Sequence, residues 1–274
     1  CGVYGLKPTR GRVPGSYSGP GGWNAFGHIG PLSRTVHDAA FLLDVMAGPN
    51  PDNPMSILDA PPDFQAALNG GVKGLRVALV PSLGGMPVEG EVQSAVEASA
   101  KLLADMGAQV DEPDVALDGM LLRESFRTIF ISDMSANLGW LLESHADELM
   151  PSMRAFLEDA SRWTVADLAR SLREMERLKG RMRELFSTYD VLLTPTAAVP
   201  AFPIEGWPDT INGVAVDPRW AFTPFCYLFN MTGQPAASVP AGLSNDGLPI
   251  GLHVVGRFGD ESTVLRVSAA LEEA

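Results

Sequence analysis

The chain has 274 residues, of which 46% are hydrophobic and 19% charged, so it is long enough for a full core and has the composition of an ordinary folded protein. Its net charge of −13 would repel a phosphate backbone, which argues against direct binding of nucleic acid. No apolar run approaches the roughly 20 residues that cross a bilayer, which argues against a membrane-spanning segment.

The first 30 residues begin CGVYGLKPTRGRVP and are rich in Gly and Pro, so they predict loops and short extended pieces. Cys1 and Cys226 are the only cysteines, too few for a disulfide framework, and we expect a soluble protein of the reducing cytoplasm. In a mature lipoprotein, Cys1 would instead carry a lipid anchor. The Gly- and Pro-punctuated segment after it is typical of packed turns, which favours the cytoplasmic interpretation.

A helix is predicted next, because apolar residues recur at three- and four-residue spacing from Val36 onward until Gly48 ends the pattern. Arg34 and Asp38 lie four positions apart at its start. Opposite charges at this spacing on a helix contact each other, so we expect a supporting ion pair with a structural role.

The following elements predict a crossover unit of an α/β sheet. The branched residues of LRVALVP, from Leu75 to Pro81, predict a buried strand, and the next helix has an apolar face from Val92 to Met106. Gly107 stops that helix, and AQV resumes an extended pattern. Strand, helix and strand in this order are typical of a sheet with helices packed on it.

Residues 118–189 predict a largely helical excursion. Its clearest signal follows Trp163, where Thr164 and Asp167 resemble a capping box and apolar residues then recur at helical spacing as far as Leu185. This stripe is more typical of core packing than of a cofactor site. We expect residues 1–274 to form a single α/β domain that contains the excursion.

After Asp190 the pattern returns to strands. VLLTP predicts a strand that ends at Pro195, Asn212 and Gly213 form a strong hairpin signal, and PIGLHVVGR predicts another strand. A final helix is predicted to begin near Asp260.

Four familiar motifs of catalysis or nucleotide binding are absent, namely GxSxG, GxxxxGK, HExxH and GxGxxG. The nearest glycine cluster, from Gly19 to Trp23, lacks both the spacing and a preceding strand. The histidines are scattered and none pairs with another at metal-ligand spacing, so we expect no metal site and assign them to the surface or to packing. They are His28, His37, His145 and His253.

Lys7 raises the question of a catalytic Ser–Lys pair, because Ser16 and Ser18 follow closely. Such a pair needs a buried, deprotonated amine held against the hydroxyl. The segment KPTRGR instead places Lys7 among other cations in an irregular stretch. We therefore expect a structural role, in which the ammonium pairs with the backbone or with a carboxylate.

Four stretches, in this order along the chain, resemble blocks of the amidase signature family. They are CGVYGLKPTRGRVP, GHIGPLSRTVHDAAFLLDVMAGPNPDNP, DVLLTPTAAVP and FNMTGQPAASVPAGLSNDGLPIGLHVVGR. The resemblance covers nearly the whole chain and weakens across the helical stretch after Met120. It implies an α/β fold with a mixed β-sheet core flanked by helices.

The resemblance also implies a chemistry, which is hydrolysis of carboxamide C–N bonds by a nucleophilic serine, a second serine preceded by a cis peptide, and a lysine. In the family both serines lie in a Gly- and Ser-rich segment immediately before the block that Cys1 opens, and the lysine lies farther upstream. None of the three positions can therefore be carried onto this sequence. We expect the C-terminal portion of a longer amidase, an incomplete domain inactive alone, with no metal or organic cofactor.

The same resemblance places the loop after the DVLLTPT strand near a small-molecule amide substrate. Thr194, Pro195 and Thr196 are thus pocket candidates, although a strand end and a Pro turn would explain them equally well. An aromatic set is the candidate lining for an apolar acyl or aryl group, with core packing as the alternative. This set consists of Trp220, Phe222, Phe225 and Tyr227.

Two other functions stay open. The chain could belong to the glutamine-hydrolysing subunit of a tRNA-dependent amidotransferase, whose partner subunits bind the tRNA, although GSYSGPGGWNAFGHIGP departs from the pattern of that subunit. It could also be a family remnant that acts as a binding module without chemistry. The sequence identifies neither the amide substrate nor the oligomeric state, and a homo-oligomer stays open.

Overall fold

The structure is a computed structural model that describes residues 1–15, 26–204 and 206–274. Its centre is a seven-stranded sheet, and a two-stranded hairpin lies apart from it. The strands are β1 (Tyr4–Lys7), β2 (Leu32–Ser33), β3 (Arg76–Leu79), β4 (Gln109–Asp111), β5 (Val191–Pro195), β6 (Thr210–Ile211), β7 (Val214–Ala215), β8 (Ala236–Leu243) and β9 (Pro249–Gly256). The helices are α1 (Val36–Met46), α2 (Phe64–Ala67), α3 (Gly90–Asp105), α4 (Gly119–Leu138), α5 (Trp140–Ser144), α6 (Pro151–Asp159), α7 (Val165–Thr188), α8 (Pro224–Thr232) and α9 (Glu261–Glu272).

The sheet is mixed, as the family resemblance implies. Its strand order is β2-β1-β8-β9-β5-β3-β4. Strand β3 pairs parallel with β4 and β5, whereas β5, β9, β8 and β1 pair antiparallel in turn. The predicted crossover is confirmed, because β3 leads through α3 to its parallel neighbour β4. Gly107, which the sequence marks as the stop of α3, has a φ of 95°, a left-handed conformation that favours glycine.

The predicted hairpin at Asn212 and Gly213 is also confirmed. Their φ angles are 48° and 73°, as a type I′ turn requires. Strands β6 and β7 pair antiparallel on either side of the turn. The backbone N–H of Asn212 donates to the carboxylate of Glu89 at 2.8 Å, which holds the hairpin against the start of α3.

Helices α4 to α7 fill the stretch between Gly119 and Thr188, where the sequence predicts an excursion. Helix α7 begins with the predicted capping box. The N–H of Asp167 donates to the Thr164 hydroxyl, and the N–H of Thr164 donates back to the Asp167 carboxylate. The buried side of α7 packs beside α4 and α8, so most of its stripe has the packing role that the sequence favours. Val165 and Leu172 belong to the predicted stripe but are exposed.

The two faces of the seven-stranded sheet are filled differently. On one, which we call the apolar face, Leu6, Ala237, Val254 and Leu193 are cross-strand partners in turn, and all four are buried. Helices α1, α3 and α9 cover this face. Side chains alternate along a strand, so the residues between these point to the opposite face, which we call the polar face. It lies under α8 and the helical stretch.

One buried carboxylate anchors the segment KPTRGR. Glu261, fully buried at the start of α9, accepts the N–H of Thr9 at 2.9 Å and Nε of Arg12 at 3.2 Å. A second nitrogen of Arg12 donates to the Gly259 carbonyl at 3.2 Å. The segment is thus tied to the C-terminal helix, and part of its positive charge is paired.

Three elements, α2, α8 and β8, are not predicted from the sequence alone. One predicted contact is wrong. Arg34 and Asp38 form no ion pair in the described ranges. Arg34 precedes Thr35, the N-cap residue of α1, so it lies outside the helix on which their spacing would bring the charges together.

Candidate active site

A row of polar residues crosses the polar face near the carboxyl end of β5. Ser238, His253 and Thr194 are direct cross-strand partners on β8, β9 and β5. Helix α8 covers the row, because the rings of Phe229 and His253 meet edge-on with 5.3 Å between their centroids. Thr194 is fully buried and His253 is 6% exposed. The strand register therefore brings together residues that are far apart along the chain.

Hydroxyl groups at this strand end are hydrogen-bonded within the site. Thr196 Oγ1 lies 3.0 Å from Ser238 Oγ, and the Thr194 hydroxyl donates to the Pro195 carbonyl at 3.0 Å. Gly251 permits this close packing, because a Cβ there would lie 2.7 Å from Ser238 Oγ and 2.9 Å from Thr196 Oγ1. The structure thus places Thr194, Pro195 and Thr196 together, beside a hydroxyl that the sequence analysis did not identify.

Lys7 ends strand β1 on the same face of the sheet. Its ammonium donates to the backbone carbonyls of Gln234 and Pro8. Lys7 itself therefore ends a short strand and is half-buried, whereas the residues that follow it are irregular, as the sequence predicts. Burial lowers the pKa of Lys7 to about 7, against an opposing contribution from the charge of Glu261. Near neutral pH the amine is partly unprotonated.

Two neutral imidazoles and a protonated thiol lie in or beside this row. Burial lowers the pKa of His253 to about 3 and that of His28 to about 3. Nδ1 of His28 lies 2.8 Å from the Phe26 carbonyl oxygen, so this nitrogen carries the proton. Burial raises the pKa of the Cys226 thiol to about 11, and the thiol donates to the Thr196 carbonyl at 3.2 Å.

These side chains line a cavity of about 340 Å³. Near neutral pH it offers the Ser238 hydroxyl, a thiol, a carboxamide, neutral imidazoles and an amine whose pKa is about 7. The candidates Thr194, Pro195 and Thr196 lie next to this lining and do not belong to it. Such a site suits a polar, uncharged ligand that both donates and accepts hydrogen bonds, as a carboxamide does. The polar residues of the lining are Lys7, His28, Cys226, Asn230, Ser238 and His253.

Some sequence candidates cannot be placed in this cavity. Ser16 and Ser18, the proposed partners of Lys7, and the glycine cluster from Gly19 to Trp23 lie outside the described residues. The Ser–Lys pair therefore stays a hypothesis from the sequence.

The aromatic candidates do not gather at the polar row. Trp220 lies in a ring cluster on the helical stretch, 5.7 Å from Phe126 between centroids, and lines a separate cavity of about 570 Å³ with Phe156. Phe222 contacts the rings of Phe202 and Trp207, at 5.2 and 5.8 Å. These two residues border an aromatic surface beside the hairpin rather than the cavity around Lys7.

Two further aromatic candidates lie on α8. Phe225 is fully buried in the core, which fits the packing alternative. Tyr227 is buried as well, and its ring stacks on Phe126 with 4.9 Å between centroids.

Ser238 and Asn230 are site residues that the sequence analysis misses, and it assigns His253 to packing. His253 does carry a signal, because it interrupts the apolar residues of PIGLHVVGR at a position that alternates with Leu252 and Val254. Ser238 has no such signal, since β8 is built from small residues and contains Pro240. Only the antiparallel pairing of β8 and β9 places it beside His253.

Two absences hold for the part of the chain that the structure describes. No group of three His, Cys, Asp or Glu side chains there is arranged to hold a metal ion. None of the helices described is both long and apolar enough to cross a membrane.

Comparison with known proteins agrees with this architecture, a mixed sheet flanked by helices. A family model described as Amidase matches residues 1–265. The chain therefore belongs to the amidase signature family.

Two curated relatives match nearly the whole chain. An acylamidase of Rhodococcus erythropolis is 34% identical over 99% of this chain and 57% of its own length. A glutamyl-tRNA(Gln) amidotransferase subunit of Bacillus velezensis is 32% identical over 100% of this chain and 60% of its own length. The chain thus spans less than two thirds of the length of these relatives.

A solved structure, that of a bacterial aryl acylamidase belonging to the amidase signature enzymes, superposes with a TM-score of 0.88 at 27% identity. The match covers 99% of this chain and 58% of that one. The predicted fold class is confirmed by this likeness.

Proposed function

We propose that this chain takes part in the hydrolysis of carboxamide C–N bonds, with a small-molecule amide bound in the cavity beside Thr196 and Ser238. The observation that carries the proposal is the polar cluster itself, in which uncharged donors and acceptors surround an amine whose pKa is about 7. Membership of the amidase signature family supports the reaction class, since relatives are named acylamidase and amidase. No metal or organic cofactor enters the proposed reaction.

In the proposed mechanism, the nucleophilic serine, the cis-serine and the lysine lie outside residues 1–274. The serine attacks the amide carbonyl, the amine leaves with a proton, and water then cleaves the acyl-enzyme. The described residues support this division of roles, because Lys7 donates to backbone carbonyls and Ser238 bonds to Thr196. This chain would then supply part of the pocket wall and would be inactive alone.

The test compares the protein purified from its source cells with the isolated 274-residue chain. Ammonia or amine release is measured with hexanamide, benzamide, 4-nitroacetanilide and glutamine as substrates. We expect turnover by the source protein and none by the isolated chain. Turnover by the isolated chain that a serine-directed acylating reagent abolishes would contradict the proposed mechanism.

An amidotransferase subunit is the second candidate. It is favoured by the 32% identity to the amidotransferase subunit of Bacillus velezensis, which is close to the value for the acylamidase. Glutamine as the preferred substrate, together with partner subunits that co-purify, would select this function. Absence of turnover on all four amides would instead select a non-catalytic binding module.

We further propose that residues 1–274 act as one α/β domain in the cytoplasm, without a direct nucleic-acid or membrane partner. The net charge of −13 supports the first of these exclusions. Size-exclusion chromatography with light scattering distinguishes a monomer from a homo-oligomer, and a single cooperative unfolding transition is expected for one domain.

A further inference from the structure

A second cavity lies at the C-terminal end of α8. Its volume is about 410 Å³, and it is formed by the C-terminal turn of α8, by α7 and by the loop at residues 54–57. None of its described lining residues belongs to the cavity around Lys7. A cavity of this size accepts a small organic molecule.

The charged residues of this cavity are mostly positive. Among its described lining residues, Arg10, Lys179 and Arg183 are cations, and Glu176 supplies the one carboxylate. Glu176 is already bonded to Lys179 at 2.7 Å, and Arg183 forms no ion pair within the described ranges. The described lining of this cavity is positively charged on balance, although the chain as a whole has a net charge of −13. A bound anion would give the Arg183 guanidinium a partner of opposite charge.

The remaining surface of the cavity is apolar. Phe258 is 57% exposed and Met55 is 42% exposed, which is unusual for side chains of this size, while Met231 lies buried behind them. An apolar group placed there would remove these side chains from water, and methionine adapts its shape to different ligands. Cations at one side and apolar side chains at the other define an amphipathic site.

We propose that this cavity binds a small amphipathic anion, a carboxylate attached to an apolar chain or ring. The carboxylate pairs with Arg183, since a guanidinium matches a carboxylate with two parallel hydrogen bonds. The apolar part lies against Phe258, Met55 and Met231. This site is separate from the proposed amide site and does not depend on the proposed function.

Calorimetric titration of the source protein with 4-phenylbutyrate tests the proposal, with 4-phenylbutan-1-ol as the matched uncharged probe. We expect saturable binding of the carboxylate at one site, about tenfold or more tighter than the alcohol, because hydrogen bonds to charged groups dominate the contact. The affinity should fall as salt is added. Equal binding of the two probes, or no binding of the carboxylate, would overturn the proposal.

The matched variants are Arg183→Gln, which removes a cavity cation, and Arg173→Gln, which removes an exposed cation of the same helix outside the cavity. We expect about a tenfold loss of carboxylate affinity for the first and no change for the second. Arg183→Lys should recover part of the loss, because the charge remains without the two-pronged geometry. Arg183 is exposed, so folding should persist, and an unchanged urea midpoint checks it. An equal loss for both Gln variants would contradict a specific site.

Discussion

The two faces of the central sheet are built from alternate residues of the same strands, yet they have different compositions. Leu193 on the apolar face partners Val254, and the next residue, Thr194 on the polar face, partners His253. The first pair is packed by aliphatic side chains, whereas the second belongs to a hydrogen-bonded cluster with a cavity beside it. The comparison shows that aliphatic packing fills the apolar face, whereas the polar face combines a hydrophobic core, which includes Leu192 and Val255, with a polar site at the carboxyl end of β5.

This difference has an energetic basis. Burial of aliphatic groups is non-directional and grows with the apolar area removed from water, so the apolar face stabilises the sheet without needing exact partners. Polar groups under α8 must find hydrogen-bond partners, and they find them only when β5, β8 and β9 are correctly aligned. Changes of buried aliphatic residues should therefore affect stability most, and changes in the polar row should affect binding and pH dependence.

Leu193→Ala tests the stabilising role of the apolar face and should give the largest effect. Its side chain is fully buried, so the substitution should lower the free energy of unfolding by about 2–5 kcal/mol, measured by urea denaturation. Leu172→Ala, at a position of α7 that is 41% exposed, is the control and should cost less than about 1 kcal/mol. An equal loss of unfolding free energy at the two positions would contradict the stabilising role of the apolar face.

His253→Gln tests the buried imidazole of the polar face. The pKa is about 3 in the folded protein and 6.5 in the unfolded chain, so between these values only the unfolded chain binds the proton. Stability should therefore fall as the pH falls from 6.5 to 3, by up to about 1.4 kcal/mol per pH unit for this group. The variant should lose that part of the slope, while His37→Gln, at an exposed position, should keep it. If the pH dependence of stability were unchanged in His253→Gln, the lowered pKa of His253 would be contradicted.

Lys7→Met tests the amine in the opposite pH range. Because the pKa of Lys7 is lowered from 10.5 to about 7, the unfolded chain binds more protons than the folded protein between pH 7 and 10.5. Stability should rise with pH across this window in the parent protein, and the rise should be smaller in the variant. The measurement is the urea midpoint at half-unit steps of pH, with Lys101→Met, an exposed residue of α3, as the control. A rise of the same size in Lys7→Met would contradict the lowered pKa.

Ser238→Ala and Thr196→Val test the hydroxyl pair and should have the smallest effect on stability, about 1 kcal/mol each. Each should lower kcat/KM for amide hydrolysis by the source protein. Because the two hydroxyls bond to each other, the double variant should lose little more than either single one. Fully additive losses would mean that the hydroxyls act separately.

The fold was largely predictable because its clearest elements carry local signals. The apolar stripe of α7 repeats over many turns, and Gly107 and Asn212-Gly213 mark their turns by backbone conformation. Strand β8 escaped prediction because small residues and Pro240 give it little β-propensity, and it is stabilised by neighbours on both sides. The Arg34–Asp38 ion pair was predicted wrongly because the exact start of α1 could not be predicted. With Thr35 as the N-cap, Arg34 lies outside the helix and its charge does not contact Asp38.

The candidate site was less predictable than the fold. Thr194, Pro195 and Thr196 come from one stretch of sequence and from the family resemblance, and they lie together. Their partners Ser238, Cys226 and His253 come from other elements, and nothing in a single sequence encodes the register that joins them. Burial of Lys7 likewise depends on residues far along the chain, beginning with the Gln234 carbonyl.

The most direct test of the proposed mechanism is to locate the nucleophile. The source protein is treated with a fluorophosphonate while amide hydrolysis is followed, and the modified peptide is identified by mass spectrometry. We predict that loss of activity matches labelling of one serine outside residues 1–274, and that Ser238 stays unlabelled. Labelling of Ser238, or of any other serine of this chain, in step with the loss of activity would contradict the proposal.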